Sequence, residues 1–499
     1  MSKFNSKATG TATINRAGGH AFKQSDKLAL ASMLMCTLLN GEDKAYQSEK
    51  SIISKIKEKF NSIEDKKFLA KATIYARDKF RMRSVSHVCS ALIAENVHGE
   101  EWLKNYYKKV TLRPDDMLET LAYYWGGEKR NKPIPNAMKK GYASVLEDMD
   151  TYQYKKYMSS NKGINLLDVV RLVRPKTTER NSEALKSLIN GTLSNDVTWN
   201  AKLSSGLSNS SEKSDEEKAQ IKKDVWKDFV SQDPKKIEAF ALLRNLRNII
   251  KTEDDEVISR ALSLVTNPDI IHRSRILPFR YVVAYATFED DNDNVVDRYN
   301  RQVLEALSRA LTISLDNVPK FSGRTAILID TSGSMSGKPI VNASVFGATL
   351  FKASNADIIT FANSATLRRF DPTSSVISIA KEIVRHCGGG TDFTSAIREF
   401  GSRKYDRVII LSDMQSWADN GRYIGWGEVP VNEAFKEYRR KVNPECKLYS
   451  FDLQGYGDMQ FPERNVNCLA GFSEKVFDLM SQMEDGFATL IDEIEKISL

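Results

Sequence analysis

Hydroxyls and carboxylates follow two short apolar runs in the last third of the sequence. Asp330-Thr-Ser-Gly-Ser follows residues 325–329, Asp413 follows residues 408–412, and Thr391 comes between them, after three glycines. Short apolar runs predict buried parallel strands, and ligand sites in such sheets lie beyond the carboxyl ends of the strands. Mg²⁺ prefers oxygen ligands and keeps some positions for water or a partner. We therefore predict that a divalent cation, Mg²⁺ or another such as Mn²⁺, is held by Asp330, Ser332, Ser334, Thr391 and Asp413.

The order of these residues resembles the metal-ion-dependent adhesion site of von Willebrand factor A domains. Asp-x-Ser-x-Ser alone is compatible with an ordinary turn after a strand, whereas the addition of a Thr and an Asp in this order is specific. The resemblance implies that Ser332, Ser334 and Thr391 bind the cation through their hydroxyls. It implies that Asp330 and Asp413 hold the cation directly or through water, with one position left for a partner's carboxylate.

A catalytic alternative is that the ion activates a water molecule for ester hydrolysis. This chemistry needs a general base within reach, and Asp392 is the candidate. We expect Asp392 to cap the helix that begins there instead, because an Asp before a helix accepts a backbone N–H.

The surrounding elements alternate in type. Apolar runs predict strands at residues 325–329, 357–361, 408–411 and 447–453. Helical stretches lie between them at residues 340–354, 375–387, 392–403 and 431–442. This alternation is typical of a doubly wound, Rossmann-like α/β domain, which we assign to residues 321–499.

Residues 1–320 have a different pattern. Apolar residues recur at helical spacing, as at Val85, Val88, Cys89 and Leu92, and connections are short. These features predict an all-α domain of many antiparallel helices, such as a helical-repeat array.

Composition limits the class of protein. The 499 residues are 41% hydrophobic and 28% charged, which is typical of globular domains and too long for a single core. The five cysteines are scattered without a Cys-x-x-Cys pair, so we expect reduced thiols in the cytoplasm and neither a disulfide framework nor a zinc site. No apolar stretch is long enough to predict a membrane span.

The net charge of +8 is unevenly distributed. Residues 321–499 carry 20 Lys and Arg against 23 Asp and Glu, which leaves 53 against 42 for residues 1–320. A basic helical half favours a polyanionic partner such as nucleic acid, although many basic proteins bind none.

An ordered series of short motifs also marks the helical half. They are Gly18-Gly-His-Ala-Phe, Tyr75-Ala-Arg, Leu112-Arg-Pro-Asp-Asp, Pro133-Ile-Pro-Asn-Ala-Met-Lys-Lys, Leu167-Asp-Val-Val-Arg-Leu-Val-Arg-Pro-Lys, Ala241-Leu-Leu-Arg-Asn-Leu and Ile276-Leu-Pro-Phe-Arg. Together they resemble the TROVE module of the Ro ribonucleoprotein family, of bacterial or phage type, in which a von Willebrand A domain follows the module.

The resemblance implies a fold and a function. Ro family proteins form a HEAT-like helical-repeat ring that binds small noncoding Y RNAs on its outer basic surface and single-stranded ends of misfolded RNAs in its hole. It implies a role in noncoding-RNA quality control or processing, a monomeric subunit without enzymatic activity, and an exoribonuclease as a possible partner.

Short windows of basic residues are the candidate RNA contacts, since phosphate binding needs such charges on one surface. The residues that we predict to bind RNA are Arg81, Arg83, Lys129, Arg130, Lys132, Lys139, Lys140, Lys156, Arg171, Arg174 and Lys176. The windows also contain Arg77, Lys79, Lys155, Arg273, Arg275 and Arg280, and nearby Tyr154 and Tyr157 are candidates for stacking on bases. A basic window on a helix is more often only a solvated face. The resemblance favours residues 156–176, although Arg174 stands where relatives often have His, which puts a His-specific base contact in doubt.

Two alternatives to RNA binding stay open. One is a metal-dependent protein-interaction scaffold whose basic surface binds no RNA. The other is a metal-dependent hydrolase that acts on nucleic acid.

Overall fold

The computed structural model describes most of the chain. The described residues are 11–14, 20–23, 25–36, 49–126, 132–158, 163–194, 199–206, 213–291, 293–415, 431–453, 458–459, 461, 466–470, 477, 480–481, 484 and 490–499.

The first part of the chain is almost wholly helical, as predicted. Its helices are α1 Asp26–Cys36, α2 Glu49–Ser62, α3 Lys66–Asp78, α4 Ser84–Asn96, α5 Leu103–Val110, α6 Pro114–Tyr124, α7 Asn136–Asp148, α8 Thr151–Tyr157, α9 Leu166–Val173, α10 Ser182–Ile189, α11 Trp199–Gly206, α12 Asp215–Val230, α13 Ala239–Ile250, α14 Asp255–Val265, α15 Pro268–Ser274, α16 Pro278–Glu289 and α17 Asn294–Ser314. Helix α6 begins at Pro114, and Asp116 accepts the Arg113 N–H at 3.0 Å, which stabilises its first turn.

A six-stranded sheet forms the core of the last part. Its strands are β3 Thr325–Asp330, β4 Ala356–Phe361, β5 Ala365–Arg368, β6 Arg407–Ser412, β7 Lys447–Asp452 and β9 Val466–Ala470. Their order across the sheet is β5-β4-β3-β6-β7-β9. The four predicted strands are parallel neighbours, which confirms the doubly wound arrangement. Strand β5 is antiparallel to β4, and the sequence analysis missed both it and β9.

Helices connect these strands as the alternation predicted. They are α18 Lys338–Ala353, α19 Val376–Val384, α20 Phe393–Arg398 and α21 Val431–Lys441. On one side of the sheet, Phe393 and Phe400 pack with Tyr405 and Phe435 in a buried cluster that also includes strand residues. A smaller sheet joins β1 Thr11–Ile14, β2 His20–Lys23 and β8 Asp458–Met459.

The chain forms two compact units. The helical unit consists of Asp26–Glu42, Glu49–Trp226 and Met483–Leu499, and the sheet unit consists of Met1–Ser25, Asp43–Ser48 and Lys227–Gln482. Helices α13–α17 thus belong to the same unit as the six-stranded sheet. The predicted division at residue 320 follows the change from helices to alternating strands and helices, and it does not coincide with the boundary between these units. As a division into domains it stays a prediction.

The last described helix, α22 Leu490–Glu495, belongs to the helical unit. Its residue Ile494 is fully buried, and Glu495 pairs with Lys27 and Lys71 at 3.4 and 3.1 Å. The segment that ends the sequence therefore packs with the helices that begin this unit.

Among the described helices, none combines the length and the apolar character that crossing a membrane requires.

Candidate functional site

Two neighbouring strands bring the predicted carboxylates to one edge of the sheet. Asp330 ends β3 and Asp413 follows β6, and the two strands are parallel and adjacent. Both side chains are fully buried. Asp330 Oδ1 accepts the Ser332 N–H at 2.9 Å, and Asp330 Oδ2 accepts the Ser412 hydroxyl at 2.5 Å. These bonds fix the orientation of the carboxylate.

The predicted hydroxyls lie in the same place. The Oγ atoms of Ser332 and Ser334 are 3.0 Å apart. Asp413 Oδ1 accepts the Gln415 N–H at 3.2 Å, whereas its Oδ2 atom is buried without a well-aligned hydrogen-bond partner in the described structure. A buried carboxylate oxygen without a partner is costly, and a bound cation would satisfy it.

The three glycines before Thr391 form a tight loop against the turn that carries the serines. Gly388 N–H donates to Thr331 O at 2.6 Å, and Gly333 N–H donates to Gly389 O at 3.0 Å. Gly389 has a φ of 87°, which favours glycine, and a Cβ atom there would lie 3.1 Å from the Asn363 amide. Thr391, which follows this loop, is buried.

The electrostatics of this edge suit a cation. Burial raises the pKa of Asp330 to about 7, and the nearby charge of Asp413 adds to the rise. Burial also raises the pKa of Asp413, and the Ser334 hydroxyl opposes this rise. Two close carboxylates surrounded by hydroxyls are a donor set that Mg²⁺ or Mn²⁺ accepts, so the residues present fit the predicted ion.

Asp392, the candidate general base, has another role. Its side chain accepts the Ser395 N–H at 3.1 Å as the N-cap of α20, which confirms the prediction for this residue. The base that hydrolysis would need is thus engaged in capping.

A buried ion-pair network lies beneath the basic surface of the helical unit. Asp116 accepts a hydrogen bond from Arg77 Nη2 at 2.7 Å and contacts His87 Nε2 at 2.8 Å. Burial opposes the ionisation of Asp116, but the His87 hydrogen bond and the Arg77 charge hold the pKa of this carboxyl well below its usual range. Arg77 is only 3% exposed, so its placement among the surface candidates was wrong.

Above this network, arginines surround a half-buried tyrosine. Asp115 accepts from Arg83 Nη2 at 2.5 Å and from Arg113 Nη2 at 2.8 Å. The Arg113 guanidinium lies 5.0 Å from the centre of the Tyr157 ring. Burial raises the pKa of Tyr157, while Arg113, Lys156 and Arg83 lie close enough to lower it. We call Arg83, Arg113, Lys156 and Tyr157 the basic cluster; it joins α4, α6 and α8.

The residues that follow α9 are also basic and accessible. Arg171, Arg174 and Lys176 are exposed, and their side chains form no ion pair with any described residue. The Lys176 N–H donates to Glu147 Oε1 at 2.9 Å, which fixes the backbone after the helix.

The other predicted RNA-binding residues differ in availability. Arg81 is exposed, and its Nη1 atom lies 3.8 Å from Asp78 Oδ1. Lys132 Nζ forms an ion pair with Glu95 Oε1 at 2.6 Å. Lys139 is half-buried and Lys140 exposed, both on α7. Two predicted residues, Lys129 and Arg130, lie outside the described residues.

The tyrosines near these basic residues also differ in solvent exposure. Tyr154 is fully buried and its hydroxyl donates to Leu146 O at 2.9 Å, so its proposed stacking role was wrong. Tyr152 is instead 47% exposed, with Lys156 Nζ 5.6 Å from its ring centre.

Comparisons with known proteins bear on this basic surface. The family model described as "TROVE domain" matches residues 14–222. RNA-binding protein RO60 of Caenorhabditis elegans is 25% identical over 234 residues, which are 43% of this chain and 35% of that protein. RO60 of Deinococcus radiodurans is 24% identical over 227 residues, 42% of this chain and 41% of that protein. These matches, each over less than half of the chain, support a relationship to the Ro family.

A solved structure and a further relative are also similar to this chain. This chain aligns with the crystal structure of Deinococcus radiodurans RO (RSR) protein with a TM-score of 0.61 and 18% sequence identity. The alignment covers 92% of this chain and 100% of that one, so the two chains share a fold. Telomerase protein component 1 of Rattus norvegicus is 25% identical over 141 residues, 27% of this chain and 5% of that protein. The chain therefore spans less than half the length of these curated relatives.

The TROVE match contains the eleven residues that we predicted to bind RNA, whereas the window with Arg273, Arg275 and Arg280 lies outside it, as does the sheet edge. It also contains Arg113 and Tyr152, which lie on this surface and which the sequence analysis did not name as RNA contacts. Arg113 appears in the sequence analysis only within the motif Leu112-Arg-Pro-Asp-Asp. Its contact with Tyr157 joins distant positions in the sequence, and no local signal reveals it.

Proposed function

We propose that this chain binds RNA through the basic cluster and the exposed cations after α9. The observation that carries the proposal is the convergence of Arg83, Arg113 and Lys156 around Tyr157 within the TROVE segment. Cations bind phosphates, and an aromatic face accepts an unpaired base, so the cluster offers both contacts that single-stranded RNA needs. Asp115 orients two of the arginines without removing their net positive charge.

We infer the finer activity from the family. It is the binding of small noncoding, Y-like RNA on an outer basic surface of a helical-repeat ring and of single-stranded ends of misfolded RNA in the hole, in RNA quality control or processing. An exoribonuclease is the proposed protein partner. The TROVE match and the similarity to RO60 proteins, which are named as RNA-binding, support this proposal.

The test is salt-dependent binding of a labelled RNA stem–loop with a single-stranded 3′ tail, measured by fluorescence anisotropy. Each phosphate contact lowers log K with log salt by a slope of about 0.9 on duplex and about 0.7 on single strands. Replacement of Lys156→Glu together with Arg174→Glu should weaken binding by ~10- to 100-fold. Binding by the wild-type chain that does not depend on salt, or no binding, contradicts the proposal.

A matched control changes the same charge elsewhere in the helical unit. Lys67 and Lys222 are exposed on α3 and α12, outside the basic cluster. Lys67→Glu with Lys222→Glu should leave affinity within about two-fold of wild type, since loss of distant exposed charge is screened by salt. Equal loss in both double variants would mean that net charge alone, and no particular surface, governs binding.

We also propose that the sheet edge binds Mg²⁺ or Mn²⁺ as a second, separate property. The buried Oδ2 atom of Asp413 and the paired serine hydroxyls support this proposal. Asp330, Ser332, Ser334, Thr391 and Asp413 would hold the ion, whose charge would offset the repulsion between the two carboxylates.

A further inference from the structure

One exposed arginine in the sheet unit occupies a backbone conformation that disfavours it. Arg275 is the C-cap of α15 with φ 53° and ψ 32°, in the left-handed region. Glycine is the usual residue at this position of a helix end, because a side chain there is sterically strained. Arg174, which ends α9 in the helical unit, has the same conformation with φ 50°.

The surrounding structure holds this strained turn in place. Asn317 Nδ2 donates to Ile271 O at 3.0 Å and to Ile276 O at 2.8 Å, so one side chain braces both ends of the turn. Ile271 and Ile276 are each 1% exposed. Strained residues persist only where the neighbouring structure fixes them, and this turn meets that condition.

The side chain of Arg275 does not serve this bracing. It is exposed, and it forms neither an ion pair nor a hydrogen bond with any described residue. Its backbone N–H already donates to His272 O at 3.2 Å. A glycine would therefore keep every contact of the turn recorded among the described residues and relieve the strain.

The neighbours of Arg275 are also cationic. Arg280 is exposed at the first turn of α16, and Arg273 Nη2 donates to Pro234 O at 2.8 Å, which orients that guanidinium. The carboxylate Oδ2 atom of Asp316 lies 3.5 Å from Nε2 of His272. Arg273, Arg275 and Arg280 thus place three arginines within eight residues at and beside the braced turn. The guanidinium group suits phosphate oxygens.

We propose that Arg275, with Arg273 and Arg280, forms a phosphate-binding turn on the sheet unit that contacts RNA. The inference rests on the proposed RNA binding and assigns a contact outside the segment that the TROVE model matches. The strain at Arg275 is retained because the position needs a cation for the ligand.

Glu253 provides an internal comparison. It has φ 52° at the turn between α13 and α14 in the same unit, and it is exposed. It precedes Asp254, Asp255 and Glu256, so this turn is acidic and repels phosphate. Glu253→Gly removes comparable strain and no cation.

The experiment measures affinity for the same tailed stem–loop RNA, its salt dependence and the melting temperature of the full chain. Arg275→Gly should weaken binding about five-fold and reduce the salt slope by about 0.7–0.9, with a melting temperature unchanged or raised by ~1–3 °C. Arg275→Lys should keep most of the affinity, and Glu253→Gly should match the thermal effect without weakening binding.

Each other result overturns the inference. Wild-type affinity in Arg275→Gly means that the turn does not contact this RNA, and a lowered melting temperature means that the side chain serves the fold. Failure of the wild-type chain to bind RNA overturns the proposed function as well. Normal wild-type binding, weakened by Lys156→Glu but not by Arg275→Gly, overturns the phosphate-binding turn alone.

Discussion

The carboxyl edge of the sheet and the basic cluster of the helical unit place charge in opposite environments. At the edge, Asp330 and Asp413 are fully buried and oriented by backbone and hydroxyl groups. In the cluster, Arg83 and Arg113 keep 37% and 41% of their side chains exposed. A buried, fixed donor set selects one compact ion by geometry, whereas exposed cations act together on an extended polyanion and are screened by salt.

The cluster nevertheless depends on buried charge one layer below it. Asp116 joins Arg77 and His87 in the core and also accepts the Leu112 and Arg113 N–H groups, each at 3.0 Å. The loop that carries Arg113 is therefore held by a buried carboxylate.

The largest expected effect is therefore on stability, from the removal of this carboxylate. Asp116→Ala leaves Arg77 buried without a partner and should lower the free energy of unfolding by ~3–5 kcal/mol. Urea denaturation followed by circular dichroism measures the change. Asp115→Ala is the matched control, because Asp115 pairs with arginines nearer the solvent and its loss should lower stability by about 1 kcal/mol or less. Equal losses in the two variants would contradict the distinction between the buried and exposed layers.

The same carboxylate should make the protein sensitive to acid. Because the pKa of Asp116 is lower in the folded state than in the unfolded chain, its contribution to stability is complete above the unfolded pKa, about 4. That contribution is lost as the pH falls from about 4 toward the folded-state pKa. Urea titrations at several pH values should show a smaller acid dependence in Asp116→Asn than in wild type. Parallel curves for the two proteins would assign the acid sensitivity to other groups.

The next largest effect is the thermal stabilisation expected from a cation bound at the sheet edge. A cation that binds only the folded state stabilises it by about 2.7 kcal/mol at a concentration one hundred times its Kd. Mg²⁺ or Mn²⁺ should raise the melting temperature of wild type, and Asp413→Asn should abolish this increase. Asp392→Asn is the control, since Asp392 caps α20 and its replacement should leave the cation-dependent increase intact. An increase that survives Asp413→Asn would place the ion elsewhere.

The two regions also differ in how far the sequence predicts them. The sheet edge follows from local patterns, because parallel strands that each end in an oxygen-bearing residue must bring those residues to one edge. The N-cap at Asp392 also followed from local sequence, because an Asp before a helix accepts a backbone N–H.

The basic cluster follows from packing between helices, and periodicity does not specify which face of α4 meets α6 or α8. Arg77 and Arg83 lie close in sequence and both form ion pairs, yet the Arg77 side chain is 3% exposed and the Arg83 side chain 37%. Tyr152 is exposed and Tyr154 is buried, although both lie on the short helix α8. Charge counting therefore located the basic region but not the residues within it that reach solvent.

The smallest expected effect is on RNA affinity, and it tests the difference in exposure between Tyr152 and Tyr154. Tyr152→Ala removes an exposed ring beside Lys156 and should weaken binding of the tailed stem–loop RNA about five-fold, because one stacked base contributes ~1–3 kcal/mol. Tyr154→Phe removes only the buried hydroxyl bonded to Leu146 O and should lower stability by about 1 kcal/mol without a change in affinity. Anisotropy and urea denaturation on both variants separate the two effects. A loss of affinity in Tyr154→Phe that equals the loss in Tyr152→Ala would show that the α8 surface acts through the shape of the helix, and that the exposed ring has no contact of its own with the RNA.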